Sequence, residues 1–567
     1  MSQTKGKQEK AQEEKKPAAK AGAKSSAAKK TTAPKAATEI AEKKAPAKRA
    51  AKKPEESAAP KAGKAPKPAK AVEPVAEMVQ PIMEPAMPPV SAPAAAALKV
   101  LFIASEAQPF IASGGLADVA GSLPKALIDE GVDCRVVIPL YSDIKPALRE
   151  SLHFLTSFEV DLSWRKQYCG IFEAIENGVT YYLIDNEYYF KRPGLYGYFD
   201  DAERFAYFSK AVLEMLRHID FEPDVLNAND WQTALVPLYL NLFYRGVAGL
   251  KRVKTVFTIH NIQYQGMYGM ELLGDVLGVD KRDGRFLEYG AALNFMKAAI
   301  EMSDRVTTVS PTYAQEILDP WFSHGLDGFL QARRFKLSGI LNGLDTDMYN
   351  PATDPLIYEC YDGNTLDKKA ANKEALLREL SMQPMENTPL IGVVSRLVAH
   401  KGLDLIKYVF EDMLRVGTQV VVLGSGEHMY EEFFRNMQDK YPQNVRFIAG
   451  FIPALAHKIY AGADMFLMPS KSEPCGLAQM IAARYGTAPI VRETGGLKDT
   501  IRDFGSVDGN GFTFKTYNAH DMLGAVERAR GCYLNKEAWV TLQKAAMTSD
   551  FTWGKSAKAY KDLYQSI

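Results

Sequence analysis

Residues 465–480 read Met-Phe-Leu-Met-Pro-Ser-Lys-Ser-Glu-Pro-Cys-Gly-Leu-Ala-Gln-Met, and this stretch decides the fold of the chain around it. The first four residues form a short apolar run, which is typical of a buried strand in a parallel sheet. Pro469 to Glu473 are predicted to form a loop, and apolar residues at helical spacing predict a helix from Gly476 onward. The stretch therefore predicts an α/β unit with Glu473 between a strand and a helix.

The position of Glu473 suggests a binding site. In open α/β sheets, ligands bind beyond the carboxyl ends of the strands, and helix N-termini attract phosphate. A carboxylate at this position repels phosphate but can accept hydrogen bonds from two neighbouring hydroxyls. Glu473 therefore suggests a sugar bound beside a phosphate. The alternative is that Glu473 only caps the helix that follows.

The first 97 residues differ in composition from the rest of the chain. Residues 1–97 contain 20 Lys and Arg against 10 Glu, whereas the whole chain has a formal net charge of only +1. They are mostly Ala, Lys and Pro, with too few large apolar side chains to offset the entropy lost on folding. We predict a disordered tail without the features of a secretory or organelle signal. It is either a solvated tail or an arm that binds nucleic acid or another polyanion.

The cysteines and the hydropathy pattern bear on where the protein works. The five cysteines are scattered without paired spacing, which argues against a disulfide framework and against a cysteine-based zinc site. No apolar run approaches the roughly 20 residues that span a bilayer. The sequence therefore predicts a protein of the reducing cytoplasm, without a membrane partner.

From residue 98 onward, apolar strands alternate with amphipathic helices, the pattern of parallel α/β sheets. Most of the predicted strands end in polar residues or glycine. The pairs at these ends are Ser105-Glu106, Asp230-Trp231, His260-Asn261, Ser310-Pro311, Asn342-Gly343, Ser395-Arg396, Gly424-Ser425 and Thr494-Gly495. Asn342 follows a predicted strand at Ile340-Leu341. The pattern predicts two Rossmann-like, doubly wound domains that face each other across a cleft.

Two cations suggest a diphosphate site. Arg396 and Lys401 lie five residues apart across a predicted strand-to-helix turn, so both could reach one diphosphate. The alternative is that both are solvated surface cations. The turn at Gly424-Ser-Gly-Glu427 is too short for a dinucleotide fingerprint, and the chain has no Walker lysine motif.

His260 and Asp230 are candidates for chemistry at the cleft. A lone histidine after a strand is more often structural than catalytic, and Asp230 could act as a base. No HExxH motif, histidine pair or carboxylate cluster supports a metal site, so we expect neither a metal nor a cofactor.

Taken together, the motifs resemble one family, the bacterial glycogen synthases and plant starch synthases, over about residues 98–567. The motifs that carry the resemblance are Ser-Gly-Gly-Leu-Ala-Asp-Val (113–119), Asn-Asp-Trp (229–231), Ile-His-Asn (259–261), Tyr-Gln-Gly-Met (264–267), Ile-Leu-Asn-Gly-Leu-Asp (340–345), Ser-Arg-Leu (395–397) with Lys401-Gly402, Glu-Pro-Cys-Gly-Leu (473–477) and Thr-Gly-Gly-Leu (494–497). The resemblance implies a retaining GT-B glucosyltransferase that moves glucose from ADP-glucose to the non-reducing end of an α-1,4-glucan such as glycogen.

The resemblance also implies roles for particular residues. Arg396 and Lys401 would hold the diphosphate and stabilise the departing ADP, while Glu473, Asp230 and His260 would contact the glucose. Phe451 would pack on the nucleotide base, and Tyr196 would lie near the sugar. The other implied substrate-binding positions are Gly114, Gly115, Asp118, Asn261, Asn342, Cys475, Gly476, Leu477 and Thr494.

The resemblance implies domain boundaries as well. Residues 98–345 would form the acceptor-side domain and residues 346–548 the donor-side domain, and residues 549–567 would hold a last helix that crosses back to the first. The sequence departs from the commonest family pattern at Ala112, where a lysine is usual, and at Gln232, where a histidine is frequent. The change at position 112 removes a cation near the donor diphosphate.

The mechanism that the resemblance implies is a front-face attack, in which ADP leaves and a phosphate oxygen takes the proton of the acceptor hydroxyl. A carboxylate nucleophile is the other route to retention. Two alternatives for the function stay open at this point. One is a non-catalytic glucan-binding protein on the same fold, and the other is an enzyme that uses UDP-glucose.

Overall fold

The computed structural model describes residues 97–567. The predicted tail, residues 1–97, lies outside this range except for its last residue. In the described range, no helix is long and apolar enough to cross a membrane.

The strands form two large sheets and one small one. In chain order they are β1 (Lys99–Ile103), β2 (Asp133–Pro139), β3 (His153–Leu162), β4 (Arg165–Glu176), β5 (Val179–Asp185), β6 (Val225–Asn229), β7 (Lys254–Ile259), β8 (Met267–Gly269), β9 (Glu288–Tyr289), β10 (Ala292–Asn294), β11 (Arg305–Thr308), β12 (Leu337–Gly339), β13 (Leu390–Val394), β14 (Gln419–Gly424), β15 (Val445–Ala449), β16 (Met465–Met468), β17 (Ala488–Arg492) and β18 (Phe512–Phe514).

Helices connect the strands and cover the sheets. They are α1 (Gly115–Asp129), α2 (Pro146–Glu150), α3 (Glu187–Phe190), α4 (Asp201–Met215), α5 (Leu235–Tyr239), α6 (Leu272–Asp275), α7 (Phe295–Met302), α8 (Pro311–Glu316), α9 (Asp327–Gln331), α10 (Asp367–Glu379), α11 (Leu403–Arg415), α12 (His428–Lys440), α13 (Pro453–Gly462), α14 (Ala478–Arg484), α15 (Gly495–Thr500), α16 (Ala519–Leu534), α17 (Lys536–Thr548) and α18 (Gly554–Gln565). Single turns of 3₁₀ helix occur at Trp231–Thr233, Gly284–Phe286, Arg334–Lys336 and Ala399–Lys401, and a π-helical turn at Leu240–Tyr244.

The first large sheet has nine strands in the order β12-β11-β7-β6-β1-β2-β5-β4-β3. Its pairs are parallel from β12 through β5, whereas β4 runs antiparallel to both β5 and β3. After β1, the chain adds β2 on one side of it, and later adds β6 and then β7 on the opposite side. The gap between β1 and β6 is therefore a topological switch point, where ligands bind in doubly wound folds.

The second sheet has six parallel strands in the order β15-β14-β13-β16-β17-β18. Its switch point lies between β13 and β16. All six residues of β14 and all four residues of β16 are buried, as expected for parallel strands covered on both faces. The predicted pair of Rossmann-like sheets is confirmed.

Two predicted element positions are wrong. The strand before Asn342 ends at Gly339, so Ile340 and Leu341 follow it instead of forming it. The helix after Glu473 begins at Ala478, two residues later than predicted. Gly476 has a φ of +75°, a left-handed conformation that glycine adopts easily and that cannot continue into a helix.

The last helix packs on the first sheet. Trp553, Tyr560 and Tyr564 belong to the apolar core around that sheet, and the hydroxyl of Tyr564 donates to Oδ1 of the buried Asn227 at 2.6 Å. The exact domain boundaries stay predictions.

Candidate active site

Four loops at the two switch points carry candidate site residues. In the second sheet, the loop after β13 carries Arg396 and Lys401, and the loop after β16 carries Glu473. In the first sheet, the loop after β1 carries Glu106, and β6 is followed directly by Asp230. Neighbouring parallel strands end at the same edge of a sheet, so each switch point brings residues that are distant in sequence together.

Glu473 and Lys401 form an ion pair that is buried on the side of Glu473 and partly exposed on that of Lys401. Nζ of Lys401 donates to Oε1 of Glu473 at 3.0 Å and to Oε2 at 2.7 Å. Oγ of Ser470 also donates to Oε2, at 2.9 Å. The Glu473 side chain is 8% exposed and that of Lys401 18%. The sequence predicted both residues at the site but not their pairing.

The charge of Glu473 is set by this pairing. Burial alone would raise the pKa of the Glu473 carboxyl, but the charge and hydrogen bonds of Lys401, together with the Ser470 hydroxyl, outweigh burial and lower this pKa below its ordinary value. Glu473 is therefore a carboxylate at neutral pH. It does not cap the next helix, because the N-cap residue of α14 is Leu477 and the Glu473 carboxylate accepts its hydrogen bonds from Lys401 and Ser470.

A glycine turn supports the backbone of the Glu473 loop. The N–H of Gly496 donates to the carbonyl oxygens of Glu473 at 3.2 Å and Pro474 at 3.1 Å. A Cβ added to Gly495 would lie 2.0 Å from the carbonyl oxygen of Glu473, and one added to Gly496 would lie 2.3 Å from that of Cys475. Only glycine allows the two backbone segments to approach this closely, so packing explains the two glycines of the Thr-Gly-Gly motif.

The other predicted donor-site residues of the second sheet are spread around this loop. Arg396 is exposed, and so is Phe451, at 77%, two residues after β15. Cys475 and Thr494 are buried, whereas Gly476 and Leu477 are partly exposed. Burial raises the pKa of the Cys475 thiol to about 12, so Cys475 is a neutral thiol.

Asp230 lies directly after β6 in a constrained conformation, with a φ of +56°. Its Oδ1 accepts the backbone N–H of His260 at 2.8 Å and that of Asn261 at 3.3 Å. Burial raises the pKa of Asp230 to about 7, and these two hydrogen bonds only partly oppose the rise. The structure thus joins three residues that the sequence predicted at the site.

His260 is uncharged at neutral pH. Burial lowers the pKa of its imidazole to about 3. Nε2 of His260 lies 2.9 Å from Oδ1 of the buried Asn229. Because the amide oxygen of Asn229 can only accept, Nε2 is the protonated nitrogen, and Nδ1 of the neutral ring can accept a hydrogen bond from a ligand but supplies no positive charge.

Glu106 was not among the predicted site residues. It is 4% exposed, and one of its oxygens accepts the backbone N–H of Ser113, just before the Gly114-Gly115 pair. Burial raises its pKa, and the Ser113 contacts oppose the rise. The neighbouring Ser105 hydroxyl lies 2.8 Å from the hydroxyl of Tyr196. The Ser105-Glu106 pair at the end of β1 was the signal that could have identified it.

Gly114 and Gly115 face open space at the start of α1. A Cβ added to either would meet no atom within 4 Å, so the protein's own packing does not require glycine there. Burial raises the pKa of Asp118, in the first turn of α1, to about 6, and the nearby Asp345 adds to the rise. Two carboxylates, Asp118 and Asp345, therefore lie near each other at the start of α1.

Asn342 and Thr494 are both buried. Asn342 is 6% exposed, and its Oδ1 is buried without a hydrogen-bond partner among the described residues. The hydroxyl of Thr494 donates to Oε1 of Glu316 at 2.8 Å. Across residues 97–567, no group of three or more His, Cys, Asp or Glu side chains is arranged to hold a metal ion.

Two family profiles match the sequence of this chain. The profile described as "Starch synthase catalytic domain" matches residues 99–332, and the profile described as "Glycosyl transferases group 1" matches residues 381–537. Curated relatives agree. A glycogen synthase of Anoxybacillus flavithermus is 50% identical over 474 residues, which is 83% of this chain and 98% of the relative.

The chain belongs to the glycogen synthase family. Glycogen synthases of Bacillus cereus and Clostridium acetobutylicum are 50% and 49% identical over 83% of this chain and all of their own length. The predicted family, its glycosyltransferase class and its role in glucan synthesis are confirmed.

Solved structures support the fold. The catalytic domain of starch synthase IV from Arabidopsis thaliana, bound to ADP and acarbose, matches with a TM-score of 0.77 and 36% identity over 83% of this chain and 99% of that chain. A sucrose-phosphate synthase from Thermosynechococcus elongatus matches with a TM-score of 0.52 and 15% identity over 83% of this chain and 98% of its own, which shows the fold alone. This glycogen synthase family member therefore has the predicted GT-B architecture.

Proposed function

We propose that this enzyme transfers glucose from ADP-glucose to the non-reducing end of an α-1,4-glucan with retention of configuration. The observation that carries the proposal is the Lys401–Glu473 pair at the switch point of the second sheet, which places a cation and an ionised carboxylate side by side. The ADP in the starch synthase IV structure supports an adenine nucleotide as the carrier.

In this proposal, the donor diphosphate lies near Lys401 and Arg396. The exposed guanidinium of Arg396 and the ammonium of Lys401 would stabilise the negative charge that grows on ADP as the bond to glucose breaks. The backbone N–H groups of Gly114 and Gly115 would approach the phosphates, where an added Cβ would meet no protein atom. Phe451 would pack on the base, because its ring is exposed beside the second sheet.

The proposed sugar contacts come from both sheets. Glu473 would accept hydrogen bonds from glucose hydroxyls on the donor side. The Asp230 carboxylate would do the same from the first sheet, and the neutral His260 would add a hydrogen bond without repelling positive charge on the sugar. Asn261, Tyr196 and Asn342 would complete the pocket, and the unpartnered Oδ1 of Asn342 is an acceptor for a sugar hydroxyl.

The proposed chemistry needs no carboxylate nucleophile. Both oxygens of Glu473 accept hydrogen bonds from Lys401, which weakens Glu473 as a nucleophile. The bond between the anomeric carbon and the phosphate oxygen breaks as the acceptor hydroxyl attacks from the same face. The released phosphate oxygen takes the proton of that hydroxyl, so atoms and charge balance.

A primer-extension assay tests the proposal. Labelled ADP-glucose and UDP-glucose are each supplied with glycogen, and incorporation is followed by digestion with β-amylase, which removes maltose from non-reducing ends. We expect a kcat/KM at least about tenfold higher with ADP-glucose, or about 1.4 kcal/mol in transition-state binding, and label released as maltose. Equal or faster use of UDP-glucose would contradict the donor assignment, and label resistant to β-amylase would contradict the acceptor end.

Two further assignments belong to this proposal. We place the enzyme in a reducing cytoplasm, which the five free cysteines support. We also assign residues 98–345 to the acceptor-side domain, residues 346–548 to the donor-side domain and residues 549–567 to the returning helix. The packing of Tyr564 against Asn227 supports the last of these.

A further inference from the structure

Two short helices, one from the half of the enzyme built on the first sheet and one from the half built on the second, contact each other. Helix α8 follows β11 of the first sheet, and α15 follows β17 of the second. Oε1 of Glu316, the last residue of α8, accepts the hydroxyl of Thr494 at 2.8 Å and the N–H of Gly495 at 3.1 Å. In return, Asp499 of α15 accepts the hydroxyl of Thr312 at 2.6 Å and its N–H at 2.9 Å. Each helix thus receives a carboxylate of the other at its first turn.

Of these two carboxylates, only that of Glu316 binds residues that contact the Glu473 loop. The residues that Glu316 holds are the start of the glycine turn, and Gly495 is in contact with the carbonyl oxygen of Glu473. The next residue, Gly496, donates its N–H to that same oxygen. A shift of Gly495 would therefore move the backbone that carries the Glu473 carboxylate. Asp499 instead accepts the hydroxyl and the N–H of Thr312, in the first turn of α8.

A second contact joins the same segment to the Glu473 loop. Nζ of Lys471 lies 4.4 Å from the ring centre of Trp321, five residues after Glu316. Nε of Arg492 donates to the carbonyl oxygen of Ser470 at 2.9 Å, which fixes the loop from the side of the second sheet. The first half of the enzyme therefore touches the loop directly at Lys471 and reaches it indirectly, through Glu316 and the glycine turn.

We propose that Glu316 is a positioning residue, which aligns the Glu473 carboxylate through the Thr494-Gly495-Gly496 turn. The sugar carboxylate of one half is then correctly placed only while the other half is in contact with it. This inference rests on the proposed role of Glu473 as a glucose ligand. Glu316 itself would not touch substrate.

The hydrogen bonds of Glu316 give a sharp pair of variants. Oε1 accepts from both Thr494 and Gly495, whereas Oε2 accepts only from Gly495, at 3.1 Å. Glu316→Gln keeps the first oxygen and so keeps both partners, whereas Glu316→Ala loses both. Asp499→Ala is the matched control, because it removes the other carboxylate of the same helix pair and takes no hydrogen bond from the glycine turn.

The experiment measures kcat, donor KM and unfolding midpoints for the three variants in the full chain. We expect Glu316→Ala to lower kcat by about 10- to 100-fold, the scale of a misplaced reacting group, with donor KM changed less than about threefold. Glu316→Gln should stay within about threefold of wild type, and Asp499→Ala should too, even where its unfolding midpoint falls as far as that of Glu316→Ala. Equal losses of kcat in Glu316→Ala and Asp499→Ala would overturn the proposal, since contact between the halves would then be all that matters.

A double variant separates this inference from the function on which it rests. Glu473→Gln alone tests whether Glu473 contributes to turnover. If Glu316 acts through Glu473, adding Glu316→Ala to Glu473→Gln should lower the residual kcat by less than about threefold, because coupled residues are not additive. A further loss of the full 10- to 100-fold would overturn the positioning role while leaving the proposed function intact. Normal turnover in Glu473→Gln would instead overturn the role of Glu473, and the positioning role with it.

Discussion

Nζ of Lys401 lies 3.0 and 2.7 Å from the two carboxylate oxygens of Glu473, so a cation from the loop after β13 neutralises a buried anion from the loop after β16. The pair spans the switch point of the second sheet. It gives the carboxylate that we propose as a sugar ligand a fixed position and keeps it ionised despite burial.

The first prediction contrasts the two cations. Lys401→Ala should lower kcat about 10²- to 10³-fold, the cost of losing a charge-stabilising donor, and should also destabilise the fold by roughly 3–5 kcal/mol, because Glu473 is left buried and unpaired. Arg396→Ala should lower kcat as much but change the free energy of unfolding by under about 0.5 kcal/mol, because Arg396 is exposed. Turnover assays and urea titrations measure both. A kcat loss below threefold in either variant would remove that residue from the donor site.

The second prediction separates the structural and functional roles of Glu473. Glu473→Gln and Lys401→Met should each destabilise the fold, whereas the double variant should recover at least about 1 kcal/mol relative to the sum, because no unpaired charge remains. Turnover should not recover in the double variant, since the cation proposed for the diphosphate and the proposed sugar contact are both still missing. The unfolding free energies and kcat of all four proteins are compared. If turnover returned together with stability, Glu473 and Lys401 would both serve the fold alone.

The third prediction concerns pH and Asp230. Its pKa in the folded protein is about 7, above the value of about 3.9 in an unfolded chain. The folded state therefore binds its proton more tightly, and the stability that this adds is present below about pH 4 and is lost as pH rises to about 7. Asp230→Asn, which keeps the acceptor for the N–H of His260, should match wild type near pH 4 and exceed it by roughly 2–4 kcal/mol at pH 8.

Urea unfolding of wild type and Asp230→Asn between pH 4.5 and 8.5 measures this difference. The free energy of unfolding of Asp230→Asn should exceed that of wild type by a difference that widens with pH and stops growing above about pH 7.5. A gap that does not change with pH would show that Asp230 is ionised throughout this range.

The fourth prediction uses two glycines with opposite surroundings. Gly495→Ala should destabilise the fold by at least about 2 kcal/mol, because the new Cβ would meet the carbonyl oxygen of Glu473 and φ is +43°. Gly115→Ala should leave stability within about 0.5 kcal/mol, since its Cβ would meet open space. It should nevertheless raise donor KM at least about tenfold if phosphate approaches there. An unchanged KM would place the diphosphate elsewhere.

The fifth prediction concerns residues 1–97, which carry many lysines and few large apolar side chains. Deleting them should leave kcat and donor KM within about twofold, a difference of roughly 0.4 kcal/mol. Any binding role should instead appear as attachment to polyanions that weakens with salt, because exposed charges are screened beyond about 10 Å at 0.1 M salt. Glucan extension and a salt-titrated pull-down compare the two proteins. Loss of elongation on deletion would make these residues part of the enzyme.

The sequence by itself determined the local structure and the type of site. The apolar run at 465–468 predicted β16, and the polar residues at the strand ends predicted which loops carry chemistry. These features depend on burial patterns within a few residues, which local sequence records. The limits of the strand before Asn342 and of α14 were missed by two residues. The left-handed backbone of Gly476 delays the start of α14, which the apolar spacing does not record.

Only the tertiary structure decided which of these residues meet. Lys401 and Glu473 are 72 residues apart, Ser105 and Tyr196 are 91 apart, and Glu316 and Thr494 are 178 apart. The partners follow from the order of strands in each sheet and from the docking of one sheet's helices on the other's. Strand order is a property of long-range packing, and a local pattern does not encode it. The ion pair, the pKa of Asp230 and the contact of Glu316 with the glycine turn therefore became visible only in the folded chain.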